Sequence, residues 1–366
     1  MRIDQLVPGF AKHDAISNHV LQLRRAFRAV GYDSDIYADW IDPRFAGEGA
    51  RPFADGPPAG DLERVILYHA STNSPMAEWL EKVAAAGQPV VADYHNVTPS
   101  RYFARWEPPA AKSMDLARKQ LEQLAPVTGL ALADSGYNEA ELIELGYRRT
   151  AVCPILLDLE EYHRDPDSKT LTRLRRQRER GGRRWLFVGR ISPNKCQHDV
   201  VAAFAVYRRL FDPLATLTLV GGATSPRYQR ALQQMSEELG LGDGLELRDA
   251  TPFPQLLAYF RASDVFVCLS EHEGFCVPIL EAMELGLPVL AYQAAAVTET
   301  VAGAGVLLAD KDPLTVACAV DDLLTDEARR AGVVAAGRSR AAEFSLESTR
   351  RRFLATVERW LAAEGA

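Results

Sequence analysis

Short apolar runs recur along the chain, and between them apolar side chains return every three or four positions. In the first half RIDQLV (2–7) reads as a strand. A Pro-Gly loop and a helix over 16–30 follow, with Gly31 where a helix C-cap stands. RVILYH (64–69), PVVADYH (89–95), LALADS (130–135) and TAVCPI (150–155) read as further strands, separated by helices over 75–86, 110–125 and 137–145. The pattern restarts with RWLFVG (184–189), TLTLVGG (216–222), LELRDA (245–250), DVFVCLS (264–270) and PVLAY (288–292). Helices over 196–209, 226–239, 254–262 and from Pro278 lie between them, and after VLLAD the chain is helical to its end. Near-continuous apolar strands alternating with amphipathic helices predict right-handed βαβ units on parallel sheets. Two such series predict two α/β lobes, residues 1–165 and 166–344, joined near 157–183 with a cleft between them.

Composition narrows the function classes. A chain of 366 residues, 47% hydrophobic and 25% charged, has the size and make-up of two ordinary globular domains. Its five cysteines are scattered without a C-x-x-C pair, which argues against a disulfide framework or structural zinc and for a reducing compartment. The N-terminus lacks the apolar core of a signal peptide and no stretch is apolar enough to span a bilayer, so the cytoplasm is the expected location. A net charge of −7 disfavours nucleic acid. Between Lys169 and Arg184, eight basic residues face one acid. This run reads as a solvated helix or linker, or as a peripheral contact with an anionic membrane. Two Asp-x-Asp sequences, at 33–35 entering a strand and at 165–167 in the linker, read as structural because neither falls beside a candidate ligand.

In open parallel sheets ligands bind beyond the carboxyl ends of the strands. Three stretches meet that condition. EHEGFCVPILE (271–281) leaves a strand and enters a helix at Pro278. Gly274 bares the backbone at Phe275 and Cys276 for an anion, and Glu273 and Glu281 can accept hydrogen bonds from a polyhydroxylated ligand. As plain helix-start acids the two would only favour the dipole. FVGRISPNKC (187–196) places Arg190 and Lys195 at another strand end of the same lobe, two fixed cations suited to a diphosphate. In ADYHNVTP (92–99), His95 ends a strand, either facing a ligand or satisfied structurally.

Taken together, EGF-x-x-P-x-LEAM-x-x-G-x-PV with its Glu-x7-Glu core, VGR-x-x-x-x-K, YHNVTP and ADSGYN resemble the retaining nucleotide-sugar glycosyltransferases of family 4, over nearly the whole length. The resemblance implies a GT-B fold of two Rossmann-like lobes, with the C-terminal helix, 345–366, crossing back onto the first. It implies that Arg190 and Lys195 hold the donor diphosphate and that Glu281 holds the ribose. Glu273, with Gly274, Phe275 and Cys276, would hold the transferred sugar and its phosphate. His95 would approach the sugar from the N-terminal lobe, and Arg248 to Thr251 would lie near the base. The loop PGFAKHDAISN (8–18) stands where the family has a substrate-facing loop, often glycine-rich; here it carries His13, Asp14 and Ala15 instead.

The implied reaction is metal-independent transfer of a sugar from a nucleotide-diphosphate sugar to an acceptor hydroxyl, retaining configuration, with no cofactor beyond the donor. The acceptor would be a sugar, glycan or small molecule. An epimerase or hydrolase on the same fold, or an inactive nucleotide-sugar binder, competes with it. Arg24, Arg25 and Arg28 on the first helix suggest an anionic acceptor or membrane surface. The donor base and sugar, the acceptor and the oligomeric state are not encoded in these motifs.

Overall fold

In the first sheet, β1 (Arg2–Phe10) runs through Pro8-Gly9 instead of ending at a loop there. Its pairing with β4 (Arg64–Ala70) stops at Leu6, so the missing Pro8 N–H breaks no ladder on that side. On the other side it pairs as far as Phe10 with β2 (Ile36–Ile41), the strand that Asp33-Ser-Asp35 enters, and β2 carries the three-residue β3 (Ala50–Pro52). β5 (Val90–Tyr94), β6 (Leu130–Ala133) and β7 (Thr150–Val152) complete an all-parallel sheet of order β3-β2-β1-β4-β5-β6-β7. The computed structural model describes residues 1–12, 14–57, 63–179 and 181–364.

Side chains on β4 alternate between two cores, as period-2 geometry requires. Ile66 and Tyr68 pack with Met76 and Leu80 of α2 (Met76–Ala85), Leu121 of α3 (Pro108–Leu124) and Leu142 of α4 (Gly136–Glu144). Val65 and Leu67 face Leu23 and Phe27 of α1 (Ala15–Ala29) together with Phe353, Val357 and Trp360 near the C-terminus. The chain therefore divides into a unit of residues 1–101, 108–157 and 344–366 and a unit of residues 102–107 and 158–343. Two short segments fall differently from the 165/166 division: 158–165 and 102–107 both belong to the second unit.

In the second unit, α5 (Ser168–Arg178) makes most of the basic run helical. Arg173 pairs with Glu246 at 3.2 Å and Arg178 with Asp264 at 2.6 Å, so part of its charge is spent on the fold. β8 (Arg184–Val188), β9 (Thr216–Val220), β10 (Leu245–Arg248), β11 (Val265–Cys268), β12 (Val289–Tyr292) and β13 (Val306–Leu308) form a parallel sheet of order β10-β9-β8-β11-β12-β13. Trp185, Phe187, Leu217, Leu219, Val265 and Val267 point to one core. They meet Val200 and Phe204 of α6 (Gln197–Leu210), Leu232 of α7 (Pro226–Glu238) and Val320 of α11 (Pro313–Thr325), the last following the short α10 (Val297–Val301). On the opposite face Phe266 stacks at 6.2 Å on Phe260 of α8 (Phe253–Ala262), near α9 (Val277–Glu284). α12 (Glu327–Glu343) ends this unit, and α13 (Leu346–Glu364) returns to the first.

Candidate functional site

The order of the second sheet makes β8 and β11 neighbours from which the chain departs in opposite directions, a topological switch point. The loops leaving these two strands carry Arg190–Lys195 and Glu271–Cys276. The first loop is held by its neighbour: Ile191 N–H donates to Gly222 O at 3.0 Å. Gly221, with φ +154°, lies so close that a Cβ would sit 2.0 Å from the Gly189 carbonyl oxygen, so no side chain is tolerated there. Lys195 closes a 3-10 turn, Pro193–Lys195, and Cys196 (φ +50°) turns the chain into α6.

The two loops are stapled to each other. Asn194 Nδ2 donates to His272 O at 3.0 Å, and Glu271 N–H donates to Asn194 O at 2.9 Å. Lys195 Nζ then sits 2.7 Å from both carboxylate oxygens of buried Glu273. Burial works against charge on Lys195, but Glu273 outweighs it and raises the ammonium above its ordinary value. Arg190 is exposed and ion-paired to no described residue. Two residues assigned by resemblance to different parts of a donor, Lys195 and Glu273, are thus partners of each other, while Arg190 is available.

Beyond Glu273 the backbone turns through Cys276 at φ +71°, ψ 63°, a left-handed conformation unusual for a residue with a side chain. Thr300 Oγ1 donates to Phe275 O and fixes this turn at the N-terminus of α9. One turn on, Glu281 is buried and accepts a hydrogen bond from the Tyr162 hydroxyl. Burial pushes the Glu281 carboxyl up to about 7, with the Tyr162 bond pulling the other way. Tyr162 belongs to the 3-10 segment Leu159–His163, and its ring packs edge-on to Phe253 at 4.9 Å. At the end of β10, Arg248 is turned back onto Glu246, whereas beyond it the Thr251 hydroxyl is buried with no described hydrogen-bond partner.

In the first unit, Asp14 is the N-cap of α1, accepting from Ser17 N–H at 2.9 Å and Ser17 Oγ at 2.8 Å, and Ala15 is the first helical residue. His13 lies outside the described residues. Arg24 donates to Glu48 O and Gly49 O, and Arg28 to Ser34 O and Asp35, so these two stabilise loops; Arg25 is exposed. Asp35 is paired with Arg2, Arg28 and Arg51, and Asp167 caps α5.

His95 is buried in a polar network whose proton positions follow from its fixed donors. Leu156 N–H donates to His19 Nδ1 at 2.8 Å, so His19 carries its proton on Nε2 and donates it to Asp93 at 2.8 Å. Gln5 gives its amide N–H to Val20 O, leaving Oε1 to accept from His69 Nε2 at 3.1 Å. Burial holds His69 down at about 4, neutral, so its Nδ1 accepts from His95 Nε2 at 3.0 Å. His95 Nδ1 donates to Asp134 at 3.0 Å. Burial disfavours charge on His95, but Asp134 and Asp93 overcome it and raise the imidazole to about 9. His95 is therefore an imidazolium with both N–H groups engaged inside the protein, rather than a side chain presented at the strand end.

His19, His69, Asp93 and His95 bring donor atoms within 4.8 Å of one another, as do Cys268, Glu273 and Cys276. In the fold as it stands His19 Nε2 is bonded to Asp93, and both oxygens of Glu273 are on Lys195. Sequence reasoning missed Asn194, Thr300 and Tyr162, and the network partners His19, His69, Asp93 and Asp134. The polar residues Asn194 and Thr300 beside recognised loops were a usable signal, whereas Tyr162 lay in what read as a linker.

Residues 172–340 match the family described as Glycosyl transferases group 1. D-inositol 3-phosphate glycosyltransferase of Frankia alni is 32% identical over 203 residues, 53% of this chain and 49% of that protein. The enzyme of that name from Thermobispora bispora is 30% identical over 238 residues, 62% and 55% of the two chains. The chain thus spans about half the length of the curated relatives it matches. Among solved structures, Anabaena HepE in complex with UDP and glucose superposes with a TM-score of 0.78 at 18% identity, covering 98% of this chain and 100% of that one. Sucrose-phosphate synthase of Thermosynechococcus elongatus gives 0.78 at 19% identity, covering 99% and 100%. These likenesses show the GT-B fold. No helix among the described residues is long and apolar enough to cross a membrane.

Proposed function

We propose that the protein is a retaining glycosyltransferase that moves a sugar from a nucleoside-diphosphate sugar to an acceptor hydroxyl without a metal. The observation that carries this reading is the pairing of loops at the β8/β11 switch point: exposed Arg190 and the Lys195–Glu273 pair precede the N-terminus of α9, with Glu281 one turn further on. The bound UDP in HepE, and the sugar-transferring names of the relatives, support it.

In this reading residues 166–344 hold the donor and the N-terminal half with the C-terminal helix holds the acceptor, in the cytoplasm. Glu281 accepts from the ribose hydroxyls, and Glu273, with the Gly274–Cys276 turn, meets the sugar and its phosphate. As the C1–O bond to phosphate breaks, negative charge grows on the diphosphate, where Arg190, Lys195 and the start of α9 stabilise it. The acceptor oxygen bonds to C1 on the same face, and its proton passes to the departing phosphate oxygen. His95, held as an imidazolium, contributes positive potential at the end of β5. Thr251 offers its buried hydroxyl toward the base. Transfer to a phosphorylated or glycosidic acceptor, with peripheral membrane contact through the remaining cations of α5, completes the reading.

The test is a thermal-shift screen of nucleoside diphosphates and their sugars, followed by turnover with a panel of acceptors. A midpoint rise with at least one nucleoside diphosphate is expected, and Glu281→Gln should weaken that ligand by roughly 10- to 100-fold through loss of charge-assisted hydrogen bonds. Full affinity in Glu281→Gln would remove the ribose assignment, and no nucleotide binding at all would remove the donor site.

A further inference from the structure

The donor loop contains a second chemistry that sugar transfer does not use. Cys268 ends β11 and Cys276 opens α9, and their sulfurs lie 3.8 Å apart, in van der Waals contact. Both thiols are free. The pair spans the turn Leu269–Phe275, which contains Glu273 and Gly274. Cys268 is 1% exposed and Cys276 8% exposed, so Cys276 is the member at the edge of the site.

We propose that Cys268 and Cys276 are an oxidisable thiol pair, closed by a peroxide-class oxidant into a reversible disulfide that takes the donor loop out of its binding geometry. The functional half of this proposal rests on reading that loop as the donor wall.

Three features favour bond formation here over the other cysteines. First, the two sulfurs already touch, and a disulfide of about 2.05 Å requires them to close by less than about 2 Å. Second, the surroundings favour a thiolate. Contact with the Cys276 thiol lowers the Cys268 pKa against the effect of burial, with Ser270 3.3 Å from the same sulfur, while that contact and burial raise Cys276, which stays the protonated partner. Third, the alternatives are unreactive or isolated. Burial pushes Cys153 and Cys196 up to about 12, and Cys318 is exposed and far from a partner in sequence.

The chemistry balances with one peroxide. The Cys268 thiolate attacks a peroxide oxygen, the O–O bond breaks, and a sulfenic acid and a hydroxide result; the hydroxide takes up the proton that Cys268 lost on ionising and leaves as one water. The Cys276 sulfur then attacks the sulfenic sulfur, its proton leaves with the displaced hydroxide as a second water, and the S–S bond forms. Cys276 holds a left-handed backbone that aims the start of α9, and Thr300 pins the carbonyl just before it. Drawing the Cys276 sulfur toward β11 therefore turns this peptide and pulls Glu273 off Lys195. Reduction by a dithiol restores both.

The test uses the full chain. Reduced protein is treated with a slight excess of hydrogen peroxide, free thiols are capped with N-ethylmaleimide, and peptides are mapped by mass spectrometry. The expected result is a Cys268–Cys276 linked species about 2 Da lighter than the reduced pair, reverted by dithiothreitol. Nucleoside-diphosphate affinity should fall about tenfold or more on oxidation, and this fall should vanish in Cys268→Ser. If Cys268→Ser does not fold, Cys268→Ala serves the same purpose. Two capped thiols after oxidation, or cross-linking through Cys318 alone, overturns the pair, and a link that leaves affinity unchanged overturns the switch. If the link forms but the reduced protein binds no nucleoside diphosphate, the thiol pair stands and the donor-site reading falls.

Discussion

At the scale of single residues, His95 shows what a strand-end histidine can conceal. Its position after PVVADY was legible, because an apolar run ending in a polar residue marks a strand terminus. Its state was not, since the groups that set it, His19, His69, Asp93 and Asp134, come from four other positions along the chain. Only folding brings them together. The charge assignment has a thermodynamic signature. His95 titrates at about 9 in the fold, above the ordinary imidazole value, so its contribution is complete below pH 6.5 and is lost as pH rises through about 9. Its size is on the order of 3 kcal/mol. His69 runs the other way: held at about 4, it favours the fold above pH 6.5 and costs stability as pH falls toward 4. His95→Gln should therefore lower the melting midpoint strongly at pH 7 and much less at about pH 9.5, the wild type having lost the charge by then. A gap between the two proteins that does not change with pH would show that His95 is neutral.

At the scale of elements, the strand-loop-helix units bearing the site were readable because Gly274, Pro278 and the Arg190/Lys195 spacing sit at pattern boundaries. Of the small parallel additions, β2 was legible only as the strand that Asp33-Ser-Asp35 enters, and β3 was not legible. IYADWI buries only its first three positions, and ARP is a three-residue edge, so neither shows a clean strand period. The segment Leu159–His163 escaped for a similar reason, yet it brings Tyr162 to Glu281 and His163 to Glu284 at 2.6 Å. Tyr162 is a positioning residue whose effect can be separated from simple contact loss. Its phenol stabilises the Glu281 carboxylate, so Tyr162→Phe should push that group above its present value of about 7. Nucleoside-diphosphate affinity should fall roughly two- to tenfold at pH 7 and recover as pH passes about 8.5, because the carboxylate returns. An equal loss at every pH would assign Tyr162 a packing role alone.

At the scale of the whole chain, the amphipathic stripe of Phe353, Leu354, Val357, Trp360 and Leu361 told that the last helix packs, and only the family resemblance told where. Periodicity names a face without naming its partner. The structure places Phe353, Val357 and Trp360 in the first unit's core with Val65, Leu67 and Phe27, more than 280 residues away in sequence. Gly129 is part of the fit: a Cβ there would come within 2.7 Å of the Trp360 ring. Because α12 belongs to the second unit and α13 to the first, a cavity in this core should loosen one unit selectively. Phe353→Ala should cost about 3–5 kcal/mol, the usual penalty for emptying a fully buried aromatic site. Hydrogen exchange should then speed up at amides of β4, β1 and α1, while β8, β9 and β11 keep their protection and nucleoside diphosphates still bind. Exchange that rises equally in both sheets would mean that the two units unfold as one, and the C-terminal helix would then matter to the donor loops as much as to the core it fills.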